Sequence, residues 1–259
     1  MNPAERLLAT YDKLIDQPGE NGQSMARRWA VVFFIPPDTA TTDDEVFVCL
    51  QALRSEIDFV RGMLSQYGVP PELSGAGFNG LRHVSSPAYL HQPWDSHKGN
   101  VMPPDNRLAL QWAAWVLRDE EESVMSTAEF QSLQTEIEAL EISLRDTEMA
   151  QYLRDFIQRQ VDTIRAALKA YDIQGSRPLK EALRKVVGDF KTEEKALKTA
   201  HEGAPDPARG VFAMTATLID KAAKVCDGLS KVKKTGEEAI ELVTTFGPLL
   251  LPYVHSLLR

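Results

Sequence analysis

Residues 91–122 read HQPWDSHKGNVMPPDNRLALQWAAWVLRDEEE, a polar, proline-bounded loop followed by a helical segment with two tryptophans and an acidic run. Asp105 follows two prolines, and its carboxylate predicts an N-cap for this central helix. Apolar side chains recur every three or four residues on one face and also fill most of the opposite face. We therefore expect other elements to surround the helix. The first face comprises Leu108, Trp112, Trp115 and Val116, and the second comprises Leu110, Ala113, Ala114 and Leu117.

Helical periodicity extends through most of the chain. An apolar stripe from Val46 to Tyr67 alternates steps of three and four residues, which predicts one long helix. Residues 3–16 carry a shorter stripe of the same kind. The segment WAVVFFI, residues 29–35, has the β-branched and aromatic content of a strand, but no second strand is evident to pair with it. We interpret it as a short buried helix capped by Ser24, and the whole chain as all-α.

A long antiparallel helical hairpin is predicted next. Ser126 and Glu129 have the spacing of a capping box, which opens a helix. Its apolar stripe stops, and a second stripe starts out of phase at Met149. The phase jump predicts a tight turn around residues 145–147 and a coiled-coil-like hairpin over residues 126–171. One continuous helix with a stutter is the alternative.

These elements predict an all-α multi-helix bundle, divided into two packed helical subdomains. We assign residues 1–123 to an acidic N-terminal bundle with a loop-rich insertion at 68–104, and residues 124–259 to a C-terminal bundle. The first part has 10 Lys and Arg against 17 Asp and Glu, a net charge of −7. The second part has 19 against 20, a net charge of −1, and together they give the total of −8.

Charge and composition exclude some function classes. A broad nucleic-acid surface requires clustered positive charge, so the acidic N-terminal part predicts no nucleic-acid partner. Cys49 and Cys226 are too few for a disulfide framework. The N-terminus lacks the basic region and apolar core of a signal peptide. We therefore expect a cytoplasmic protein, with membrane association as the alternative.

A loop in the first stretch contains the one close cluster of metal-capable side chains, His91, Asp95 and His97. Imidazole and carboxylate ligands suit zinc, manganese or iron, so these residues are candidate ligands of a divalent metal. His83 and Asp105 lie within reach along the chain. The spacing H-x3-D-x-H matches no signature of a metal site, and the alternative is that these groups satisfy the backbone of an ordered loop.

Gly75, Gly77 and Gly80 in SGAGFNG match the spacing GxGxxG. In dinucleotide-binding proteins such glycines follow a strand and open a helix inside a βαβ unit. Here YGVPPELS precedes them, and the chain lacks alternating strands. We therefore expect no nucleotide cofactor and interpret these glycines as a turn that requires positive φ.

Residues 242–258, LVTTFGPLLLPYVHSLL, form an apolar tail without formal charge that follows a lysine-rich segment. The tail approaches the ~20 residues of a membrane-spanning helix, but a glycine and two prolines interrupt it. A basic helix before an apolar tail is typical of segments that bind anionic lipid. A terminal helix packed into the core or against a partner is the alternative. The candidate interaction or membrane residues are Lys231, Lys233, Lys234, Phe246, Leu249, Leu250, Leu251, Tyr253 and Leu257.

The leading functional hypothesis is a non-enzymatic helical protein that binds or regulates a protein partner or forms a homo-oligomer. Amphipathic stripes are abundant, whereas the GxSxG and P-loop motifs are missing from the sequence. The first alternative is a membrane-acting helical effector that uses the apolar tail. The second is a metal-dependent hydrolase at His91, Asp95 and His97. No cofactor is expected, and a divalent metal is the alternative.

Overall fold

The computed structural model describes residues 1–18 and 22–228. These residues form an all-α fold, as the apolar periodicity predicted. Apart from one β-bridge between Ser24 and Pro93, they contain no extended pairing. Two compact units divide the chain, and each has its own apolar core. Unit 1 comprises Met1–Glu121 and Asp172–Gly175, and unit 2 comprises Glu122–Tyr171 and Ser176–Arg259.

Unit 1 contains the first five helices of the chain. The predicted helices at residues 3–16 and from Val46 to Tyr67 are confirmed as α1 and α3. The WAVVFFI segment contributes to α2, and the Ser24 hydroxyl accepts the backbone N–H of Arg27, as an N-cap should. The helices are α1 (Pro3–Asp16), α2 (Met25–Val32), α3 (Thr42–Gln66), α4 (Pro71–Val84) and α5 (Pro104–Val116), with 3₁₀ turns at Pro87–Tyr89, Trp94–Ser96 and Lys98–Asn100.

Polar groups inside unit 1 are paired across its helices. Arg6 of α1 donates to the Glu56 carboxylate of α3 at 2.9 Å, and both side chains are buried. The indole N–H of Trp29 donates to the carbonyl oxygen of Val84 at 2.9 Å. Gln174, in the Asp172–Gly175 segment of unit 1, donates to the carbonyl oxygen of Ala52 at 3.1 Å. These bonds satisfy groups that burial would otherwise leave unpaired.

Helix α4 corrects the prediction for the loop-rich stretch at 68–104. Gly77 and Gly80 lie inside this helix and do not form a turn with positive φ. A Cβ atom at Gly77 would lie 2.4 Å from the carbonyl oxygen of Asn106, and one at Gly80 would lie 2.3 Å from that of Asn100. Glycine is required here because the backbones of α4 and of the segment at 100–106 approach each other too closely for any side chain.

Helix α5 corrects two further expectations. Its N-cap is Pro103, and Asp105 lies in the first turn without a capping bond. The face predicted to be covered is largely in solvent, because Leu108 is 61% exposed and Trp115 is 62% exposed. Helices α4 and α1 pack on the opposite face of α5. That buried face comprises Asn106, Leu110, Ala113 and Leu117.

Unit 2 contains the predicted hairpin, formed by α6 (Thr127–Asp146) and most of α7 (Gln151–Gln174). The capping box is confirmed, since Ser126 and Glu129 exchange hydrogen bonds between side chain and backbone. The helix break at residues 147–150 excludes one continuous helix. Ion pairing between Glu141 and Arg165 links the two arms of the hairpin.

Three more described helices complete unit 2. They are α8 (Arg177–Thr192), α9 (Glu194–Glu202) and α10 (Asp206–Gly228). Three phenylalanines join α8 and α10 to the hairpin: the ring of Phe190 lies 4.8 Å from that of Phe156 and 5.9 Å from that of Phe212, in edge-to-face geometry. Lys221 of α10 forms an ion pair of 2.8 Å with Glu136 of α6. The unit is therefore a small bundle around an aromatic centre.

Candidate functional site

An open pocket of about 300 Å³ lies in unit 1 between α3 and the C-terminal end of α4. We call it the α3–α4 pocket. Arg54 comes from the middle of α3, and the last two turns of α4 and the adjoining 3₁₀ turn supply the other walls. Its lining side chains are mostly cationic, aromatic or hydroxyl-bearing. They are Arg54, Asn79, Arg82, His83, Ser86 and Tyr89.

One lining residue of this pocket, His83, is paired with a second histidine, His97, which lies behind it. His83 Nε2 lies 3.1 Å from His97 Nδ1, and His97 Nε2 lies 2.7 Å from the Gln92 side-chain oxygen. Because that oxygen can only accept, His97 donates through Nε2 and its Nδ1 accepts the Nε2–H of His83. Burial lowers the pKa of His97, and the neighbouring charge of His83 lowers it further. The two rings and the Gln92 side chain therefore form a directional chain of hydrogen bonds.

Tyr89 holds this pair in place. Its ring stacks on His97 with the ring centroids 4.4 Å apart, and the centroid of His83 lies 4.8 Å from that of Tyr89. Stacking of this kind fixes a ring without using its polar atom. The Tyr89 hydroxyl has no hydrogen-bond partner among residues 1–18 and 22–228.

Two arginines provide positive charge. Arg82 forms an ion pair with Asp58, which raises the pKa of Arg82 through their hydrogen bond. Arg54 donates through Nη1 to the carbonyl oxygen of Arg82 at 2.7 Å, a neutral acceptor. Within the described part of the chain, Arg54 has no carboxylate partner. The guanidinium of Arg54 is thus positioned by a bond to a neutral acceptor and forms no ion pair with a described carboxylate.

The structure distributes the predicted metal ligands over different partners. His91 is 82% exposed, and its Nδ1 lies 3.7 Å from the Asp43 carboxylate. Asp95 accepts from the Lys98 ammonium at 2.6 Å, and that bond, followed by one from the Gly22 backbone, lowers the pKa of Asp95. Of the three, only His97 lies next to the α3–α4 pocket, where it contacts the lining residues His83 and Tyr89. No group of three or more His, Cys, Asp or Glu side chains among the described residues is placed to hold a metal ion. Metal binding stays a prediction.

The contact of His83 with His97 was not predicted from the sequence. Residues 71–84 were interpreted as loop because of their glycines and prolines, so His83 had no defined position. A helical signal is nevertheless present, since Phe78, Leu81 and Val84 recur at three-residue spacing after a proline pair typical of a helix start. That signal places Asn79, Arg82 and His83 on adjacent positions of one helix.

A second surface of interest is the exposed face of α5. Leu108, Trp112 and Trp115 follow one another at spacings of four and three residues, and we call them the α5 stripe. Trp112 is half-buried between its two exposed neighbours. The guanidinium of Arg118 lies over the Trp115 ring, 4.5 Å from its centroid. Such a cation–π contact orients an indole that has little other support.

The C-terminal candidates lie outside the described residues. Lys231, Lys233, Lys234 and the apolar tail from Phe246 to Leu257 belong to residues 229–259, so their roles stay predictions. Within residues 1–18 and 22–228, no helix combines the length and the apolarity that crossing a membrane requires.

Comparison with known proteins identifies no relative. No protein-family model, no curated protein and no solved structure matches the chain. The function therefore has to be argued from the chain's own surfaces.

Proposed function

We propose that this protein is a non-enzymatic helical interaction protein that binds a protein partner through the α5 stripe. The observation that supports the proposal is the exposure of Leu108 and Trp115 on one face of a well-packed helix. Single exposed apolar residues are common on protein surfaces, but a row of two tryptophans and a leucine is not. Tryptophan is also the residue most enriched among those that dominate binding energy at interfaces.

The stripe is rigidly presented. The opposite face of α5 packs on α4 through the close approach at Gly77, and the Asn2 side chain donates to the carbonyl oxygen of Ala114 at 3.0 Å. Arg107 is held by a two-pronged ion pair with Asp12 at 2.8 and 2.9 Å. A preorganised helix loses little conformational entropy when it binds, so more of its contact energy is available as affinity.

The occupant that fits this stripe is a different protein with an apolar groove or helix face. Positions i, i+4 and i+7 of a helix are the anchors by which an amphipathic helix docks into such a groove. A second copy of this chain is less suitable, because residues 1–123 carry a net charge of −7 and two such surfaces repel each other. We therefore favour a partner whose rim is neutral or basic.

Photo-crosslinking in the source cells tests the proposal. A crosslinking amino acid replaces Gln111, which is exposed on the same side of α5, and the matched control replaces Ile142 on α6, which is 56% exposed. We expect a crosslinked partner at position 111 that position 142 does not capture. That partner is then purified, and its affinity is measured with the unmodified chain and with variants.

Trp115→Ala and Leu108→Ala should each lower the affinity for the partner at least about tenfold, whereas Ile142→Ala should leave this affinity unchanged. Because both residues are exposed, unfolding free energies should stay within about 0.5 kcal/mol of the parent. Equal affinity of the parent and Trp115→Ala would contradict the proposal. If sedimentation instead shows a dimer that Trp115→Ala dissociates, the occupant is a second copy and the assignment to a different protein is wrong.

A further inference from the structure

The geometry points to the α3–α4 pocket as a binding site for a phosphate group of a small ligand. This site lies apart from the α5 stripe and does not depend on the function proposed for that stripe. Its size is at the lower end of the range of small-molecule sites, so it suits one charged group of a ligand more than a large ring system.

Positive charge concentrates at this pocket although its unit is acidic. Arg54, Arg61 and Arg82 are three of the 10 Lys and Arg residues within positions 1–123. Asp58 neutralises Arg82, but Arg61 donates only to the Asn79 side-chain oxygen, at 3.4 Å, within the described part of the chain. Arg54 lines the pocket and Arg61 contacts the lining residue Asn79, and neither forms an ion pair with a described carboxylate. An anion is the complementary ligand.

The end of α4 does not oppose such a ligand as strongly as a helix C-terminus otherwise would. Free carbonyl groups there carry partial negative charge and repel anions. In this helix each of the last four carbonyl oxygens already accepts a hydrogen bond. Leu81 accepts from Ser85 N–H at 3.0 Å, Arg82 from Arg54 at 2.7 Å, His83 from Ser86 N–H at 3.1 Å, and Val84 from the Trp29 indole at 2.9 Å.

The donors in the pocket favour a tetrahedral oxyanion over a planar one. Arg54 on α3, Ser86 after α4 and Tyr89 in the 3₁₀ turn line the same space from three elements, and the last two residues carry hydroxyl groups. Neither hydroxyl forms a hydrogen bond to any of the described residues. A phosphate accepts from several directions at once, whereas a carboxylate offers two oxygens in one plane. Stacking on His97 holds Tyr89 in place before the ligand arrives.

Titration of the full chain with inorganic phosphate tests this assignment. The ring resonances of His83, which lines the pocket, and of its neighbour His97 serve as reporters, and sodium chloride keeps the ionic strength constant. We expect saturable shifts with a dissociation constant on the order of 1 mM, as suits a few charge-assisted hydrogen bonds to so small a group. Acetate, as the planar comparator, should bind at least several-fold more weakly.

Variants separate binding in the pocket from weak association elsewhere. Arg54→Gln should lower the affinity for phosphate at least about tenfold, because one charge-assisted hydrogen bond is lost. Tyr89→Phe and Ser86→Ala remove only hydroxyl groups and keep the ring stacking and the backbone hydrogen bonds. Each should lower the affinity for phosphate about threefold or more. Arg145→Gln, at an exposed arginine of α6 that belongs to neither the pocket nor the α5 stripe, is the matched control and should bind as the parent does.

Three results would overturn the inference. They are the absence of saturable shifts, an Arg54→Gln variant that binds phosphate as tightly as Arg145→Gln does, and acetate binding equal to that of phosphate. If Arg54→Gln fails to fold, the test rests on Tyr89→Phe. Unchanged phosphate affinity in that variant would show that the Tyr89 hydroxyl does not bind phosphate, and it would overturn the inference. None of these outcomes depends on the α5 stripe, so the two proposals fail separately.

Discussion

At the residue scale, two glycines determine how α4 and α5 meet. Gly77 and Gly80 occupy helix positions where alanine would be about 1 kcal/mol more favourable by propensity alone. The carbonyl oxygens of Asn106 and Asn100 occupy the space that a methyl group would need. The side chain of Asn106 adds to the same contact, since its Nδ2 donates to the carbonyl oxygen of Asn100 at 2.9 Å. Close packing therefore outweighs helix propensity at this contact.

Substitution of these glycines gives a direct test. Gly77→Ala and Gly80→Ala should each lower the free energy of unfolding by about 1–3 kcal/mol, the usual cost of overpacking. Gly62→Ala in α3 is the matched control, because no atom lies within 4 Å of its added Cβ. We expect this control to gain up to about 1 kcal/mol. Urea unfolding measures all three, and a gain for Gly80→Ala would show that the two backbones are not in contact.

His201 predicts a dependence of stability on pH in unit 2. Its side chain is buried, its ring centroid lies 5.3 Å from that of Phe212, and burial followed by the charge of Arg209 lowers its pKa. Glu202 acts in the opposite direction with a smaller effect. Because the unfolded chain keeps the ordinary pKa, it binds the proton first as the pH falls. Stability is then fully present above about pH 6.5 and is lost as the pH falls through the window below it.

The measurement compares the unfolding free energy at about pH 7.5 and about pH 5.5, on either side of the ordinary histidine pKa. The parent should lose more stability between these conditions than His201→Leu, which has no proton to bind at that position. Other titrating groups contribute equally to both proteins, so their difference isolates His201. Equal losses in the parent and the variant would contradict the burial effect.

At the scale of elements, apolar periodicity predicted the helices that have a single apolar stripe on one face. It located α1 and α3, and the out-of-phase stripe starting at Met149 located the break between α6 and α7. The periodicity did not predict α4, because its three glycines and the proline pair at its start are typical of a loop. Gly77 and Gly80 are required by the close approach of the backbone at 100–106, a contact between residues far apart in sequence. No local pattern in residues 71–84 contains that information.

For α5 the sequence could not determine which face is buried. Both faces are apolar, so periodicity alone gave no direction, and both were expected to be covered. The buried face is the one with Ala113 and Leu110, which lies against the glycine side of α4. Similarly, the α3–α4 pocket joins Arg54 to Tyr89 across a helix and a turn. Its side chains could be recognised as candidates only after α4 was placed.

The start of α6 offers a prediction for a single element. Ser126 Oγ accepts the N–H of Glu129 at 3.2 Å, and the Glu129 carboxylate accepts the N–H of Ser126 at 2.8 Å. Ser126→Ala should therefore cost about 1 kcal/mol of unfolding free energy. Gln134→Ala, an exposed position within the same helix, should change it by less than about 0.5 kcal/mol. A cost for Ser126→Ala no larger than that of the control would show that the box does not stabilise α6.

At the scale of the whole molecule, the two units differ in a way that spectroscopy can resolve. All four tryptophans, at positions 29, 94, 112 and 115, belong to unit 1. Helix α7 contributes to both units, because Tyr171 lies in the core of unit 2 and Ile173 in the core of unit 1. Tryptophan fluorescence thus reports unit 1 alone, whereas far-ultraviolet circular dichroism reports every helix.

Two core truncations use this difference. Phe156→Ala, at a side chain with no exposed surface, should destabilise unit 2 by about 3–5 kcal/mol. We expect the circular dichroism transition to broaden toward lower urea while the fluorescence midpoint moves much less, since the cores of the two units are separate. Ile173→Ala should shift the fluorescence midpoint although it lies on a helix that mostly belongs to unit 2. If Phe156→Ala instead shifts both midpoints equally, the chain unfolds as one cooperative structure, and the separate cores do not act as separate folding units.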